Sequence, residues 1–410
     1  MLGDKAIAHR LLIISSWFKG QHIIHNFPKN EDVLTTLNSL KSYGLKYKFI
    51  NNSLCIDSVK FNFKKGSIDC NDSGTSARLL CGYLAGGNME TKIFGSKSLS
   101  ERPMDRVVRP LNDFGADIQS AQGLLPLHIK PSLNFNSFKY NLKIPSAQVK
   151  ACFILYAMFM KGVSTIRGLI HTRDHLENIL SYFGYPITFK KNEINIQGVH
   201  RIAKNLSVEL PGDISSASFI IGGAVLLKGS SITIKNVCFN KYRIGFIEAL
   251  IDMGANISFK NKKDNYGERV ADIIVNYSPE LIGTKINSDS IPNLIDEIPI
   301  LCIVASYAKG KTVINGIDEL KIKESNRVEA ILNNMERMGG LAKVVGNSLI
   351  ITPKNKLYST TINSFNDHRI FMAFYIANLI AGQDFNAKAS EGCYKKSFIN
   401  FFDILEEIIA

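Results

Sequence analysis

Nine basic side chains stand where a polar cluster runs into an apolar stretch, or in the loop beside one. They are Lys5, Arg10, Arg78, Arg102 in SERPMDR, Arg173 in TRDH, Lys323 and Arg327 in KIKESNR, Arg369 in NDHR, and Lys396 in KKSF. A single arginine before a helix is most often a surface ion pair worth ~0 to 1 kcal/mol. Nine at recurring positions point to another chemistry, the gripping of small polyanions. A guanidinium meets carboxylate or phosphate with two parallel hydrogen bonds, and a helix N-terminus offers unpaired N–H groups and the positive end of its dipole.

The elements that must carry these cations recur six times. The polar openers are GDKAIAHR at Gly3, DSGTSAR at Asp72, PSAQVK at Pro145, PGDISSAS at Pro211, LIDEIP at Leu294 and FNDHR at Phe365. Each leads into an apolar run that stops at a glycine: Gly20, Gly87, Gly162, Gly229, Gly310 and Gly382. The period of about 70 residues marks a repeated unit longer than a solenoid repeat of roughly 20 to 50. A β-branched stretch follows, such as STIRG at Ser164 or SITIKN at Ser231, then an amphipathic segment and a second glycine: Gly44, Gly115, Gly184, Gly254 and Gly339. A glycine just past a helical run is the usual left-handed stop. Each repeat therefore reads as buried helix, strand, exposed helix, strand, with the sixth copy shortened. The expected fold is mixed α/β (α+β), in two lobes of three repeats, residues 1–209 and 210–410, with a hinge near 209–213. Two domains suit a chain of 410 residues.

Composition narrows the function further. A hydrophobic fraction of 45% with 21% charged residues suits a folded protein with sizeable cores. The apolar runs fall short of the ~18 to 20 residues that cross a bilayer. Asp4, Lys5, His9 and Arg10 interrupt the apolar residues of the start, so it does not make a signal peptide, and a cytoplasmic location is expected. Seven scattered cysteines without a C-x-x-C, and eight histidines without H-E-x-x-H, suggest neither disulfides nor a metal. The net charge of +13 is spread along the chain without an aromatic-rich basic motif, which reads as a lysine-rich solvated surface and not as a nucleic-acid site.

Taken in order, these motifs resemble 5-enolpyruvylshikimate-3-phosphate synthase. GDKAIAHR is similar to that family's G-D-K-S-I-S-H-R, DSGTSARLL to N-S-G-T-x-x-R, and SERPMDRVVRPL to its R-P-M loop and helix. PGDISSASF, LIDEIPIL, LKIKESNRVEA, NDHRI and KKSFINFF follow in the second half. The resemblance implies a two-lobed fold of six βαβαββ units that closes over its substrates at a hinge. It also implies a reaction without metal or cofactor, in which the enolpyruvyl group of phosphoenolpyruvate moves to the 5-hydroxyl of shikimate 3-phosphate, as in chorismate and aromatic amino acid biosynthesis. The implied partners are those two metabolites, with no nucleic acid or membrane, and the protein is expected to be a monomer.

The same resemblance implies residue roles. Lys5, Arg102, Arg327, Arg369 and Lys396 match the phosphoenolpyruvate clamp, with Gly74 allowing close approach of the phosphate. Arg10, Ser146, Gln148, Arg173, Asp296 and Lys323 match the shikimate 3-phosphate contacts. Addition and elimination need an acid and a base on opposite sides of the reacting carbon. Asp296 corresponds to the carboxylate facing the 5-hydroxyl, Glu324 to the one near the methylene, and Lys5 assists proton movement and stabilises developing charge. Read singly, Asp296 could simply favour a helix dipole, Glu324 could pair with Lys321 or Arg327, and Ser73, Thr75 and Ser215 could be caps.

Four departures from the family pattern carry expectations. Ala6 and Ala8 replace serines, and the lost hydroxyl at position 6 predicts weaker shikimate 3-phosphate affinity, by ~0.5 to 1.5 kcal/mol for one neutral hydrogen bond. Asp72 for Asn sets a carboxylate near the phosphoenolpyruvate phosphate. Asn326 for Asp is expected to loosen Arg327. A start two residues before G-D-K, without the family's usual preceding strand, is expected to expose a sheet edge or leave Lys5 poorly anchored. Two other functions compete. One is enolpyruvyl transfer to UDP-N-acetylglucosamine, whose loop carries a Cys that GSKSLSER (Gly95–Arg102) lacks. The other is a catalytically weakened or non-catalytic binder of anions.

Overall fold

The structure, a computed structural model, describes residues 1–354, 356–382 and 392–409. Its contacts divide the chain into two compact units. One comprises residues 2–210 with 264–268, and the other Met1, 211–263 and 269–410. The short segment 264–268 belongs by contact to the first unit although its flanking strands belong to the second, a placement with no signal in composition or spacing.

The first unit opens with α1 (Lys5–Trp17), β1 (Gln21–His25), α2 (Glu31–Ser42), β2 (Lys46–Ile50) and β3 (Ser53–Asp57). The second repeat is β4 (Gly66–Asp69), α3 (Gly74–Gly86), β5 (Thr91–Phe94), α4 (Lys97–Ser100), α5 (Asp105–Asp113), β6 (Asp117–Ala121) and β7 (Leu124–Lys130). The third is β8 (Lys139–Leu142), α6 (Ala147–Ala157), β9 (Val163–Gly168), α7 (His175–Tyr182), β10 (Ile187–Lys190) and β11 (Glu193–Gln197), followed by β12 (Ser207–Glu209). The sheets run β4-β5-β7-β6, β8-β9-β11-β10 and β12-β1-β3-β2. In each, the outer first strand is parallel to its neighbour and the other pairings are antiparallel. The first repeat borrows its parallel strand from the end of the unit, Ile23 standing opposite Ser207. That pairing covers the outer edge of β1.

The second unit repeats the plan with α8 (Ile214–Leu226), β13 (Ser231–Cys238), α9 (Gly245–Asp252), β14 (Ile257–Asn265) and β15 (Glu268–Asn276). Then come β16 (Lys285–Ile286), α10 (Ile298–Ser306), β17 (Thr312–Asn315), α11 (Arg327–Arg337), β18 (Leu341–Val345) and β19 (Ser348–Thr352). The sixth repeat contributes α12 (His368–Ile380) and α13 (Phe401–Ile409). Its sheets run β13-β15-β14 and β16-β17-β19-β18, and a lone parallel bridge from Gly212 to Val237 stands in for the missing outer strand of the former.

The six opener helices are the cores. In the first unit α3 packs on both α6 and α1, and in the second α8, α10 and α12 pack on one another. These helices are apolar nearly all round, as buried helices must be; α8 and α10, for instance, bury nearly every residue. Close approach needs small residues at the seam. A Cβ on Gly82 of α3 would lie 2.2 Å from the Cys152 carbonyl oxygen of α6, so any larger residue would force the two helices apart. The second glycines all adopt positive φ: Gly44 at 93°, Gly115 at 97°, Gly184 at 76°, Gly254 at 90° and Gly339 at 71°. Each ends its amphipathic helix as the spacing predicts. Among the described residues no helix is long and apolar enough to cross a membrane.

Candidate active site

In the first unit the leading turns of α1, α3 and α6 are joined by side chains. Asp4 caps α1, accepting from the Ile7 N–H at 3.0 Å, which places Lys5 in its first turn. Lys5 Nζ pairs with Asp32 of α2 at 2.9 Å, each side chain 14% exposed. The expectation of a poorly anchored Lys5 is thus corrected, because the cap on α1 and the carboxylate on α2 fix it. Behind it His9 Nδ1 lies 2.7 Å from Thr36 Oγ1, which lies 2.7 Å from Ser76 Oγ on α3. Burial holds His9 well below the usual imidazole range, and the Lys5 and Arg10 charges push it the same way. A neutral ring can therefore sit beside two cations.

Arg10 is buried and donates to the Ala6 carbonyl at 2.7 Å and to the Ala147 carbonyl, in the first turn of α6, at 3.5 Å. Ser73 and Ser146 cap α3 and α6, so the serine of the predicted shikimate 3-phosphate set is also a cap. Gln148 joins these helices. Its amide donates to Thr75 Oγ1 at 2.9 Å and its carbonyl accepts from Arg78 Nη1 at 2.9 Å. Gly74 begins α3, and a Cβ there would stand 2.9 Å from Arg78 Nη1 and 3.2 Å from Arg102 Nη1. Two guanidinium tips and a helix N-terminus thus face one bare backbone position, an arrangement suited to a dianion. The Asp72 carboxylate accepts from Ser96 Oγ at the cap of α4. Arg173 sits half-buried in the segment before α7.

In the second unit the N-termini of α8, α10 and α12 converge. Asp213 caps α8, and Ser215 in its first turn donates to Glu297, which stands at the start of α10. Asp367 caps α12 through the Arg369 N–H at 2.9 Å. Its other oxygen takes Arg327 Nε at 2.8 Å and Ser325 Oγ at 3.2 Å. Arg327 Nη1 reaches Asp296 at 3.2 Å and Nη2 reaches Glu324 at 2.6 Å. Burial alone would lower the pKa of this guanidinium; Asp367, Glu324 and Asp296 outweigh it and drive the pKa above the arginine range. Asn326 for Asp therefore does not loosen Arg327 as expected. The three carboxylates fix it, while Asn326 caps α11 through the Glu329 N–H at 3.4 Å.

Asp296 also faces Arg369, with Nε at 3.7 Å, while Arg369 Nη1 donates to the Asp296 carbonyl at 3.4 Å. Glu324 pairs with Arg327, and Lys321 turns to Asp318 at 3.0 Å. Lys396 donates to the Asn366 carbonyl at 3.1 Å, beside Asp367, and Lys323 is half-buried next to Glu324. The predicted residues thus gather into two sets: Lys5, Arg10, Gly74, Arg102, Ser146 and Gln148 in one unit, Asp296, Glu324, Arg327 and Arg369 in the other. Sequence reasoning missed Asp32 and Asp367. Asp367 had a signal, an acidic residue at the cap position just before an apolar run; Asp32 had only its place in a second, amphipathic helix.

Repeated α/β units whose helix N-termini carry arginine and lysine, with carboxylates at hand for proton transfer, define a class of protein that handles small anionic metabolites. The family model of EPSP synthase (3-phosphoshikimate 1-carboxyvinyltransferase) matches residues 1–405. A 3-phosphoshikimate 1-carboxyvinyltransferase of Clostridium tetani is 41% identical over 377 residues, covering 91% of this chain and 85% of that one. One of Endomicrobium trichonymphae is 37% identical over 413 residues, covering 99% and 95%. The solved EPSP synthase of Acinetobacter baumannii superposes with a TM-score of 0.84 at 31% identity, covering 99% of this chain and 94% of that one. This chain belongs to the EPSP synthase family. Its fold is the mixed α/β, two-lobed fold of those structures, and the names its relatives carry do not favour the UDP-N-acetylglucosamine alternative.

Proposed function

We propose that this chain transfers the enolpyruvyl group of phosphoenolpyruvate to the 5-hydroxyl of shikimate 3-phosphate and releases phosphate, as a cytoplasmic monomer acting on two soluble metabolites. The observation that carries the reading is the pair of partly exposed carboxylates, Asp296 and Glu324, held on one buried guanidinium. A protein that merely bound anions would gain nothing from them. Arg10, Ser146, Gln148, Arg173 and Lys323 hold shikimate 3-phosphate. Lys5, Arg102, Arg327, Arg369 and Lys396 hold phosphoenolpyruvate, with its phosphate against Gly74. Three of the five N–H groups of Arg327 have carboxylate partners here, so two remain for a substrate carboxylate.

In the addition step the 5-oxygen lone pair bonds to C2 of phosphoenolpyruvate, and its proton passes to Asp296. The π electrons of the double bond take a proton from Glu324 at the methylene carbon. In the elimination the C–H electrons re-form the double bond, the proton returns to Glu324, the bond from C2 to the phosphate oxygen breaks, and the departing phosphate takes up the proton that Asp296 had accepted, which restores both carboxyl groups. Lys5 offsets the charge on the phosphate oxygens in both steps. The test is release of inorganic phosphate from the two substrates together. No release above the rate with either substrate alone would refute the reading.

A further inference from the structure

Lys150 has no part in the reading so far, yet its environment is among the most specified in the molecule. Its side chain is 1% exposed. The ammonium lies 2.6 Å from Glu177 Oε1 and donates to the Ile170 carbonyl at 3.0 Å and the Thr172 carbonyl at 2.8 Å. Two of the three N–H groups of the ammonium thus go to backbone carbonyls, and the carboxylate lies beside it as an ion pair. Lys150 stands on α6 one turn beyond the Ser146 cap and two residues beyond Gln148. Its acceptors bracket Arg173, two carbonyls from the segment before it and one carboxylate from the first turn of α7 after it. Asp174, at the cap position of α7, accepts from Asn178 Nδ2 at 3.2 Å within the same helix.

A buried lysine–glutamate pair is a poor way to gain stability, because desolvating both charges commonly offsets their attraction and an apolar pair of similar size does as well. What such a pair supplies is geometry, since two directed hydrogen bonds to backbone carbonyls and a close ion pair restrict the path the backbone can take. We propose that Lys150 is a positioning residue for the phosphorylated substrate, locking the 170–174 segment to α6 so that Arg173 faces the same group as Ser146 and Gln148. The inference rests on the assignment of those three residues to shikimate 3-phosphate.

The test is steady-state kinetics and urea unfolding on the full chain carrying Lys150→Met, Glu177→Gln, the double variant Lys150→Met/Glu177→Met, Arg173→Ala, and Lys150→Met combined with Arg173→Ala. Burial already pushes the Glu177 carboxyl up, with Lys150 opposing that shift, so Lys150→Met can leave a protonated acid and still fold. Loss of the tie is expected to raise KM for shikimate 3-phosphate about tenfold, with kcat and KM for phosphoenolpyruvate within about threefold. Glu177→Gln shows the same direction with a smaller rise. The apolar double variant regains the parent unfolding midpoint but not the parent KM, and Lys150→Met adds nothing once Arg173 is alanine. A parent KM in the restabilised double variant, or a full additional effect on the Arg173→Ala background, would overturn the proposal. A parent KM in Arg173→Ala alone would instead overturn the substrate assignment beneath it.

Discussion

Replacing Gly74 with alanine separates binding from folding. Gly74 is the first residue of α3 and its φ is not in the left-handed region, so alanine suits the backbone and favours the helix by up to about 1 kcal/mol. The new methyl would start 2.9 Å from Arg78 Nη1 and 3.2 Å from Arg102 Nη1. Both are the far ends of flexible side chains, so they swing aside at little expense to the fold. Their displacement falls on the ligand. A hydrogen bond to a charged group contributes about 1.5 to 3 kcal/mol, and losing the equivalent of one raises KM for phosphoenolpyruvate about 10- to 100-fold. The other substrate is less affected, because it is connected to the shifted tips through the Arg78–Gln148 contact and not directly.

The assay is steady-state phosphate release with each substrate varied in turn, beside urea unfolding of parent and Gly74→Ala. The expected result is a raised KM for phosphoenolpyruvate, a change of no more than a few-fold in KM for shikimate 3-phosphate, and an unfolding free energy within about 1 kcal/mol of the parent. An unchanged KM for phosphoenolpyruvate in a stable variant would refute the placement of its phosphate against Gly74.

Glu324→Gln keeps the shape of the contact to Arg327 but cannot deliver or accept the methylene proton. It should lower kcat by about 10²- to 10⁴-fold with little change in either KM; a purely affinity defect counts against the assigned role. Asp367→Asn keeps the α12 cap but strips the buried Arg327 of one of its three carboxylates. It should cost about 3 kcal/mol in urea unfolding and raise KM for phosphoenolpyruvate; parent-like unfolding would show that Asp367 does not hold the guanidinium. His22 gives an acid dependence. Its Nδ1 accepts from the Leu206 N–H at 3.1 Å, its Nε2 lies 2.8 Å from Ser58 Oγ, and burial lowers its pKa from 6.5 to about 4. The unfolded chain takes up this proton first, so the contribution is fully present above pH 6.5 and is lost as pH falls through about 4, amounting to about 3 kcal/mol. Unfolding free energy measured across that range should fall with acid, and less steeply in His22→Asn; equal slopes would exclude His22 as the source.

The helices were legible because both of their signals are local. An apolar run of the right length opened by a polar cluster is a buried helix, but its cap was less legible: of the three candidates Ser73 caps α3, whereas Thr75 and Ser215 lie inside first turns and Asp213 caps α8. The positive-φ glycines after the amphipathic helices were legible for the same reason. Pairing over long sequence distance was not. That β12 closes the sheet of β1, more than 180 residues earlier, depends on where three β-turned repeats bring the chain, and nothing local in SVE announces it. The site shows the same division. Motif residues such as Arg102 and Glu324 could be named, but the partners that orient them lie on other helices: Asp32 for Lys5, Asp367 for Arg327 and Glu177 for Lys150. Resemblance also misled where it treated a single replacement in isolation. Asn326 seemed a loss for Arg327 only because the three carboxylates that hold the arginine were out of view.

Arg10 and Arg78 of the first unit and Arg327 of the second are held by different kinds of partner. In the first unit Arg10 donates to backbone carbonyls, and Arg78 donates to a carboxamide and a carbonyl. Neutral oxygens orient a guanidinium without cancelling its charge. In the second unit Arg327 lies among three carboxylates. There much of its field is already answered, and its larger effect is to fix where the Asp296 and Glu324 carboxylates stand. Proton transfer tolerates little misplacement, which is reason enough to hold both carboxylates on one immobile, permanently charged group. A lysine in that position could not serve, because its three donors diverge from one nitrogen, whereas the planar fork of arginine sets Asp296 and Glu324 on its two terminal nitrogens while Asp367 fixes the third from behind.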